Sequence, residues 1–142
     1  MIVIDTNVVS EPVRRRPDPH VLDWLLAESA NLAITTVTIG ELVYGARRLP
    51  TGRRQTEMIK AVEQMIKSTA RHRLPYDEDA ARAFAGLRAE HEARGRQFSA
   101  EDGMIAGICA ANGAAIATRN VRHFEGLGLE VINPWEPRDR QP

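Results

Sequence analysis

The chain has 142 residues, 43% of them apolar and 27% charged, and its acids and bases balance to a formal net charge of zero. That is the make-up of one ordinary globular domain with a core of its own, and it supplies no global field that would press the molecule onto a nucleic acid or a membrane. Cys109 is the sole cysteine, which rules out an intrachain disulfide, and no stretch approaches the roughly 20 apolar residues of a membrane span.

The N-terminus carries neither a basic region nor a long apolar run, so no secretory signal is expected, and a cytoplasmic location follows by default. Ile2–Ile4 is a short β-branched run that predicts a buried strand ending in Asp5, Thr6 and Asn7. RRRPDP then predicts a turn, with Pro17 and Pro19 as breakers. His20–Ser29 places Val21, Trp24, Leu25 and Leu26 at helical spacing, and Leu32–Thr36 predicts a second strand. From Thr38 the spacing is helical again, with Ile39, Leu42, Val43 and Ala46 on one stripe. After Pro50–Gly52 a third helix carries Met58, Val62, Met65, Ile66 and Thr69 on one side. His72–Pro75 predicts a short strand. Asp77 is the expected N-cap of a helix that reaches Ala93 and stops at Gly95. Ser99–Ala111 is apolar on nearly every side after its first turn, as a buried helix is, and Cys109 within it reads as a small core residue. Ala114–Ala117 and Glu130–Ile132 are the remaining strands. The terminal NPWEPRDRQP reads as a frayed tail, with Trp135 able to pack the C-terminus onto the sheet. Short apolar strands alternating with helices predict an α/β fold, a parallel sheet with helices on both faces.

In such sheets ligands bind beyond the carboxyl ends of the strands, where the strand order reverses. Asp5 and Asn120 follow two predicted strands, and two further acids open helices, Glu41 in Thr38-Ile39-Gly40-Glu41 and Asp102 in Ser99-Ala100-Glu101-Asp102. Each tetrapeptide resembles a capping box, so capping is the structural alternative for either acid. A parallel sheet nevertheless brings these helix starts to the same edge as the strand ends. Two unit charges ~4 Å apart repel by about 4 kcal/mol at an effective dielectric near 20. Three clustered acids therefore call for a cation or for proton uptake. An all-oxygen set suits Mg²⁺ or Mn²⁺ better than Zn²⁺.

The stretches MIVIDTNVVSEP, ITTVTIGELVYGARRL, FSAEDGMIAGICAANG and ATRNVRHFEGLGLEVINPW resemble, in order, a PIN-domain ribonuclease of the VapC or FitB-like toxins of bacterial type II toxin–antitoxin systems. The resemblance runs from residue 1 to about Pro137. It implies a single domain over residues 1–137, with 138–142 as a tail, and a three-layer α/β/α fold with four or five parallel strands. It also implies Mg²⁺- or Mn²⁺-dependent cleavage of RNA. Carried over by position, Asp5, Glu41 and Asp102 become the catalytic, metal-binding acids. Thr6 and Asn7 support the site around Asp5, and Thr118 falls where a site hydroxyl is common. Asn120 departs from relatives that place a fourth acid there. His123 is another variation, read as a surface or structural residue with RNA contact as its alternative role.

The mechanism expected from this resemblance is hydrolysis by a metal-activated water, with Asp102 or Glu41 accepting its proton and 5′-phosphate ends as products. Lys60 and Lys67 are the only lysines, and arginine supplies every other basic residue. Arg14–Arg16, Arg47, Arg48, Arg53, Arg54, Arg119 and Arg122 are the candidates for phosphate contact, Arg119 first because it lies between Thr118 and Asn120. Aromatic content of 5% argues against a broad base-stacking platform. The family further implies a cognate antitoxin, and a homodimer or a toxin–antitoxin hetero-oligomer. The stripe Met58, Val62, Met65 and Ile66 would serve such a contact unless it faces its own core. Two rival readings stand beside the nuclease. One is another Mg²⁺-dependent phosphotransfer enzyme, although DTN lacks the second Asp of a phosphoaspartate phosphatase and no GxxxxGK[ST] loop is present. The other is a non-catalytic binding module whose acids are helix caps.

Overall fold

Side-chain alternation along three short strands decides the architecture. In a computed structural model describing residues 1–137, Ile2–Ile4 (β1), Leu32–Thr35 (β2) and Ala115–Ala117 (β4) are buried along their whole lengths. Ile2, Ile4, Leu32, Ile34, Ala115 and Ala117 point to one face of the sheet. Val3, Ala33 and Ile116 point to the other. A strand apolar on both faces is stable only between two layers of helices. Each fully buried Ile contributes roughly 1.5–3 kcal/mol over its exposed state.

The helices follow in chain order. Thr6–Ser10 (α1), Pro19–Ala27 (α2), Thr36–Arg47 (α3) and Arg53–Thr69 (α4) cover the Ile2/Ile4 face through Val8, Val9, Val21, Leu25, Leu42, Ala46, Val62, Met65 and Ile66. Glu78–Ala93 (α5) and Ala100–Asn112 (α6) cover the Val3 face, with Ile105, Ala106 and Cys109 against it. His72–Leu74 (β3) and Val131–Ile132 (β5) complete the sheet, whose order is β3-β2-β1-β4-β5, parallel throughout. The fold is the expected three-layer α/β/α arrangement, with five strands. The chain builds outward from β1 in one direction, then returns to its other side, so the order reverses between β1 and β4. Among the described residues no helix is long and apolar enough to cross a membrane.

Several sequence-based expectations shift by a residue or more. Thr36 opens α3 rather than closing β2, because the Thr35 hydroxyl accepts a hydrogen bond from the Thr38 N–H at 3.1 Å and so caps the helix. Pro19 begins α2 instead of breaking the chain, since its missing N–H is unneeded in the first turn. Met58 stands 41% exposed, and Ile59 takes its place on the core, while Val62, Met65 and Ile66 are interior. The segment Asn133–Trp135 is not frayed: Pro134 is buried and Trp135 packs on the core. The tail 138–142 lies outside the described residues.

Close packing of α5 on α6 requires glycine. A Cβ at Gly107 would lie 2.5 Å from the Ala80 carbonyl oxygen and 3.0 Å from the Phe84 nitrogen, while a Cβ at Gly45 in α3 meets nothing within 4 Å. Gly107→Ala is therefore expected to destabilise the fold by about 1–3 kcal/mol through overpacking. Gly45→Ala is expected to stabilise it by up to about 1 kcal/mol through helix propensity. Denaturant unfolding of the two variants checks the contrast.

Candidate active site

Register across the reversal point determines what meets there. Ile4 pairs with Ala117, and the Asp5 N–H donates to the Ala117 carbonyl at 3.2 Å, so the next residues, Asp5 and Thr118, are neighbours at the carboxyl edge. Asp5 is only 9% exposed. One of its oxygens, Oδ1, caps α1 by accepting from the Val8 N–H at 3.0 Å; the other, Oδ2, accepts from the buried Thr118 hydroxyl at 2.6 Å. Burial raises the Asp5 carboxyl above its ordinary value, the hydrogen bonds from Thr118, Val8 and Asn7 oppose this, and the charge of Asp102 adds to the rise.

Glu41 lies in the second turn of α3 and does not sit at the capping-box position that the sequence suggested, because the helix starts at Thr36. Its Oε2 instead accepts from the Thr6 hydroxyl at 3.1 Å, which joins α3 to α1 beside Asp5. Burial raises the Glu41 carboxyl, the Thr6 bond lowers it, and repulsion from Asp102, Glu101 and Asp5 raises it further. Asp102 occupies the first turn of α6, whose cap Ser99 accepts from the Asp102 N–H at 3.1 Å. The Asp102 side chain turns to His123, with Nδ1 to Oδ2 at 2.9 Å. The three acids thus share one edge and act on one another electrostatically.

The supporting residues divide. Thr6 and Thr118 each hold an acid through a hydroxyl. Asn7 is exposed and reaches Asp5 through its backbone N–H. Asn120 is exposed too; its N–H donates to Thr118 Oγ1 at 3.0 Å, and its carbonyl accepts from the His123 N–H at 3.0 Å. Arg119 is exposed, with its guanidinium 5.3 Å from the centre of the Trp135 ring. Cys109 takes no part: it is fully buried, and burial pushes its thiol up to about 12. Sequence reasoning did not find the His123–Asp102 pair, nor Glu11. Glu11 is 2% exposed and accepts from the Asp18 N–H at 2.8 Å and from Arg14 Nη1 at 3.3 Å. A carboxylate amid apolar residues in VVSEPV was the available signal for Glu11.

The family model of the PIN domain matches residues 2–127. The chain belongs to the PIN domain family. It is 42% identical to the plasmid stability protein StbB of Pseudomonas syringae pv. tomato, an alignment covering 96% of this chain and 99% of that one. It is 40% identical to the VapC ribonuclease Y4jK of Sinorhizobium fredii, again over 96% and 99%. Toxin FitB of Neisseria gonorrhoeae is 34% identical over 95% of this chain and 99% of its own. Among solved structures, FitAB bound to an IR36 DNA fragment superposes with a TM-score of 0.87 at 30% identity, covering 99% of both chains.

PIN-domain ribonucleases are in general metal-dependent, and the donors of this PIN domain fit a hard divalent ion. Asp5, Glu41 and Asp102 offer only oxygen, and each raised carboxyl is raised partly by its neighbours' charge, which a cation would relieve. Among the described residues no three Asp, Glu, His or Cys side chains stand ready to surround one ion.

Both raised carboxyls oppose folding at neutral pH. Because the folded state holds these protons more tightly than the unfolded chain, stability falls as pH rises from the ordinary Asp value through the folded one, and stays lower above it. Asp5→Asn keeps the capping oxygen and removes the buried charge. It is expected to raise the melting temperature at pH 7 by about 2–6 °C, with the gain shrinking as pH falls toward 3.8, the ordinary value for Asp5. Thr118→Val removes the donor to Asp5 and the acceptor of the Asn120 N–H, and is expected to cost about 1–3 kcal/mol. Thermal melts at several pH values check both.

Proposed function

We propose that this PIN domain is a ribonuclease of the VapC type and the toxin of a type II toxin–antitoxin pair. One observation carries the reading: Asp5, Glu41 and Asp102 share the edge where the strand order reverses, in a chain 40% identical along nearly its whole length to a VapC ribonuclease. Glu41 and Asp102 spend their carboxylates on Thr6 and His123, which argues against acids kept only as helix caps.

In this reading Asp5, Glu41 and Asp102 hold Mg²⁺, with Mn²⁺ as a substitute, directly or through water. A bound divalent ion would supply a lowered pKa to water and neutralise charge at the scissile phosphate. Thr118 and the Val8 N–H keep Asp5 in place, and Thr6 does the same for Glu41. Asp102 or Glu41 takes the proton of the attacking water. The 3′-oxygen leaves, so the product carries a 5′-phosphate and the 2′-hydroxyl is a bystander. Asn120 lends a neutral oxygen near the site. Arg119, steadied on Trp135, meets an RNA phosphate. The partners are an RNA substrate and a cognate antitoxin, in a homodimer or a toxin–antitoxin hetero-oligomer. Residues 1–137 act as one catalytic unit, and the cytoplasm, where RNA is met, is the proposed location.

The test is cleavage of RNA by the purified chain with Mg²⁺, Mn²⁺ or EDTA, with the cut ends mapped. The expected result is metal-dependent cleavage leaving 5′-phosphates, a loss of at least about 100-fold in Asp102→Asn, and a higher melting temperature in millimolar Mn²⁺. Undiminished cleavage in EDTA that leaves cyclic phosphates would overturn the mechanism.

A further inference from the structure

Each of the three acids at the reversal point has a dedicated side-chain donor. Asp5 has Thr118, Glu41 has Thr6, and Asp102 has His123. The first two donors stand next to the site in the chain. His123 reaches it from the short 3-10 turn Val121–Phe124, which Phe124, 2% exposed, anchors in the core. Hydrogen bonds run without a break through this segment. Thr118 donates to Asp5, the Asn120 N–H donates to Thr118, the His123 N–H donates to the Asn120 carbonyl, and the imidazole meets Asp102. One six-residue segment therefore holds the acid that follows β1 and an acid from α6.

Asp102 needs such a tether more than Asp5 does. Its side chain is 26% exposed, at the open end of a helix, and it feels the charge of both Asp5 and Glu41. Repulsion favours rotamers that swing a partly exposed carboxylate outward into water, where its charge is screened. A donor at 2.9 Å from Oδ2 opposes that swing. Since a carboxylate only accepts, the shared proton belongs to Nδ1, which leaves Oδ1 as the oxygen available to an ion or a water.

We propose that His123 is a positioning residue for Asp102, donating through Nδ1–H so that the carboxylate keeps the rotamer and the oxygen the site uses. The role rests on the nuclease reading above; the bond itself does not. Donors behind metal-binding side chains typically govern metal affinity or activity by 10–100-fold.

The test compares wild type with His123→Ala, His123→Asn and His123→Gln in three measurements. Nitrogen-15 spectra of the imidazole in the metal-free protein should show the proton on Nδ1. Calorimetric titration with Mn²⁺ should show affinity reduced about 10–100-fold in His123→Ala. RNA cleavage should show kcat reduced by a similar factor with KM for RNA unchanged. Asn places its amide nitrogen near the position of Nδ1 and should recover most of the loss, whereas Gln, which mimics Nε2, should not. If His123→Ala fails to fold, the contrast between Asn and Gln still decides. A bare Nδ1, Mn²⁺ affinity equal to wild type in His123→Ala, or a raised KM with unchanged kcat, the mark of direct RNA contact, would each overturn the role while leaving an active wild type and its nuclease reading intact. A wild type that neither binds Mn²⁺ nor cleaves RNA would remove both.

Discussion

The hydrogen bond between Thr118 and Asp5 is the constraint on which the site depends. It exists because β1 and β4 are parallel neighbours in a register that pairs Ile4 with Ala117. The first residue past each strand then faces the other across the point where strand order reverses. There the sheet's edge opens between helix starts, and a carboxylate can be mostly buried yet remain at the rim. A slip of one residue in this pairing would turn Asp5 away from Thr118 and invert the faces of β1 as well. The apolar alternation that packs the core thus also aims the acid.

Keeping that acid is costly, and the surroundings show how the cost is limited. Burial and neighbouring charge both favour the protonated form of Asp5 and Glu41. Two carboxylates ~6 Å apart repel by about 3 kcal/mol at an effective dielectric near 20, and a hydrogen bond to a charged group returns about 1.5–3 kcal/mol. The two terms are of the same size. On Asp5 the Thr118 bond outweighs the charge of Asp102, and on Glu41 the Thr6 bond outweighs the charge of any single neighbour, so the threonine hydroxyls offset the repulsion while burial, the largest cause for both, keeps the carboxyls raised. An Arg or Lys in either place would neutralise the acids outright and compete with any metal. Such conflict between local stability and charge placement is what a functional site looks like against an otherwise consistent fold.

The layers were legible in the sequence because buried strands and amphipathic helices carry strong, different periods. What escaped was finer than those periods. In ITTVT the β-branched residues continue the strand pattern past Thr35, so the start of α3 reads two residues late and Glu41 looks like a cap. Met58 and Ile59 differ by one step around α4, and a stripe drawn through the wrong one passes for the core edge. Asp5, Glu41 and Asp102 were identified through order along the chain and position at element starts. Their tethers were not, since a Thr6–Glu41 or His123–Asp102 contact depends on how layers dock, and no spacing within one helix or strand encodes it.

The balanced net charge conceals a separation in space. Glu11, nearly buried, is satisfied by the Asp18 N–H and by Arg14, and so folds the arginine-rich segment back on itself. That segment, Arg14–Arg16, shares a depression with Arg119 and Trp135. Elsewhere arginines pair with acids one helical turn away, as Arg53 with Glu57, Arg82 with Glu78 and Arg88 with Glu92, exposed pairs of little energetic weight. A polyanion approaching a cluster of carboxylates needs cations close at hand, because charges more than about 8 Å away are largely screened at physiological salt. Arg119, the residue after Thr118, is exposed and unspent on any helix pair, while the arginines paired along the helices lie on solvated faces. Where the charge lies, rather than its sum, sets the local field that a neutral chain presents.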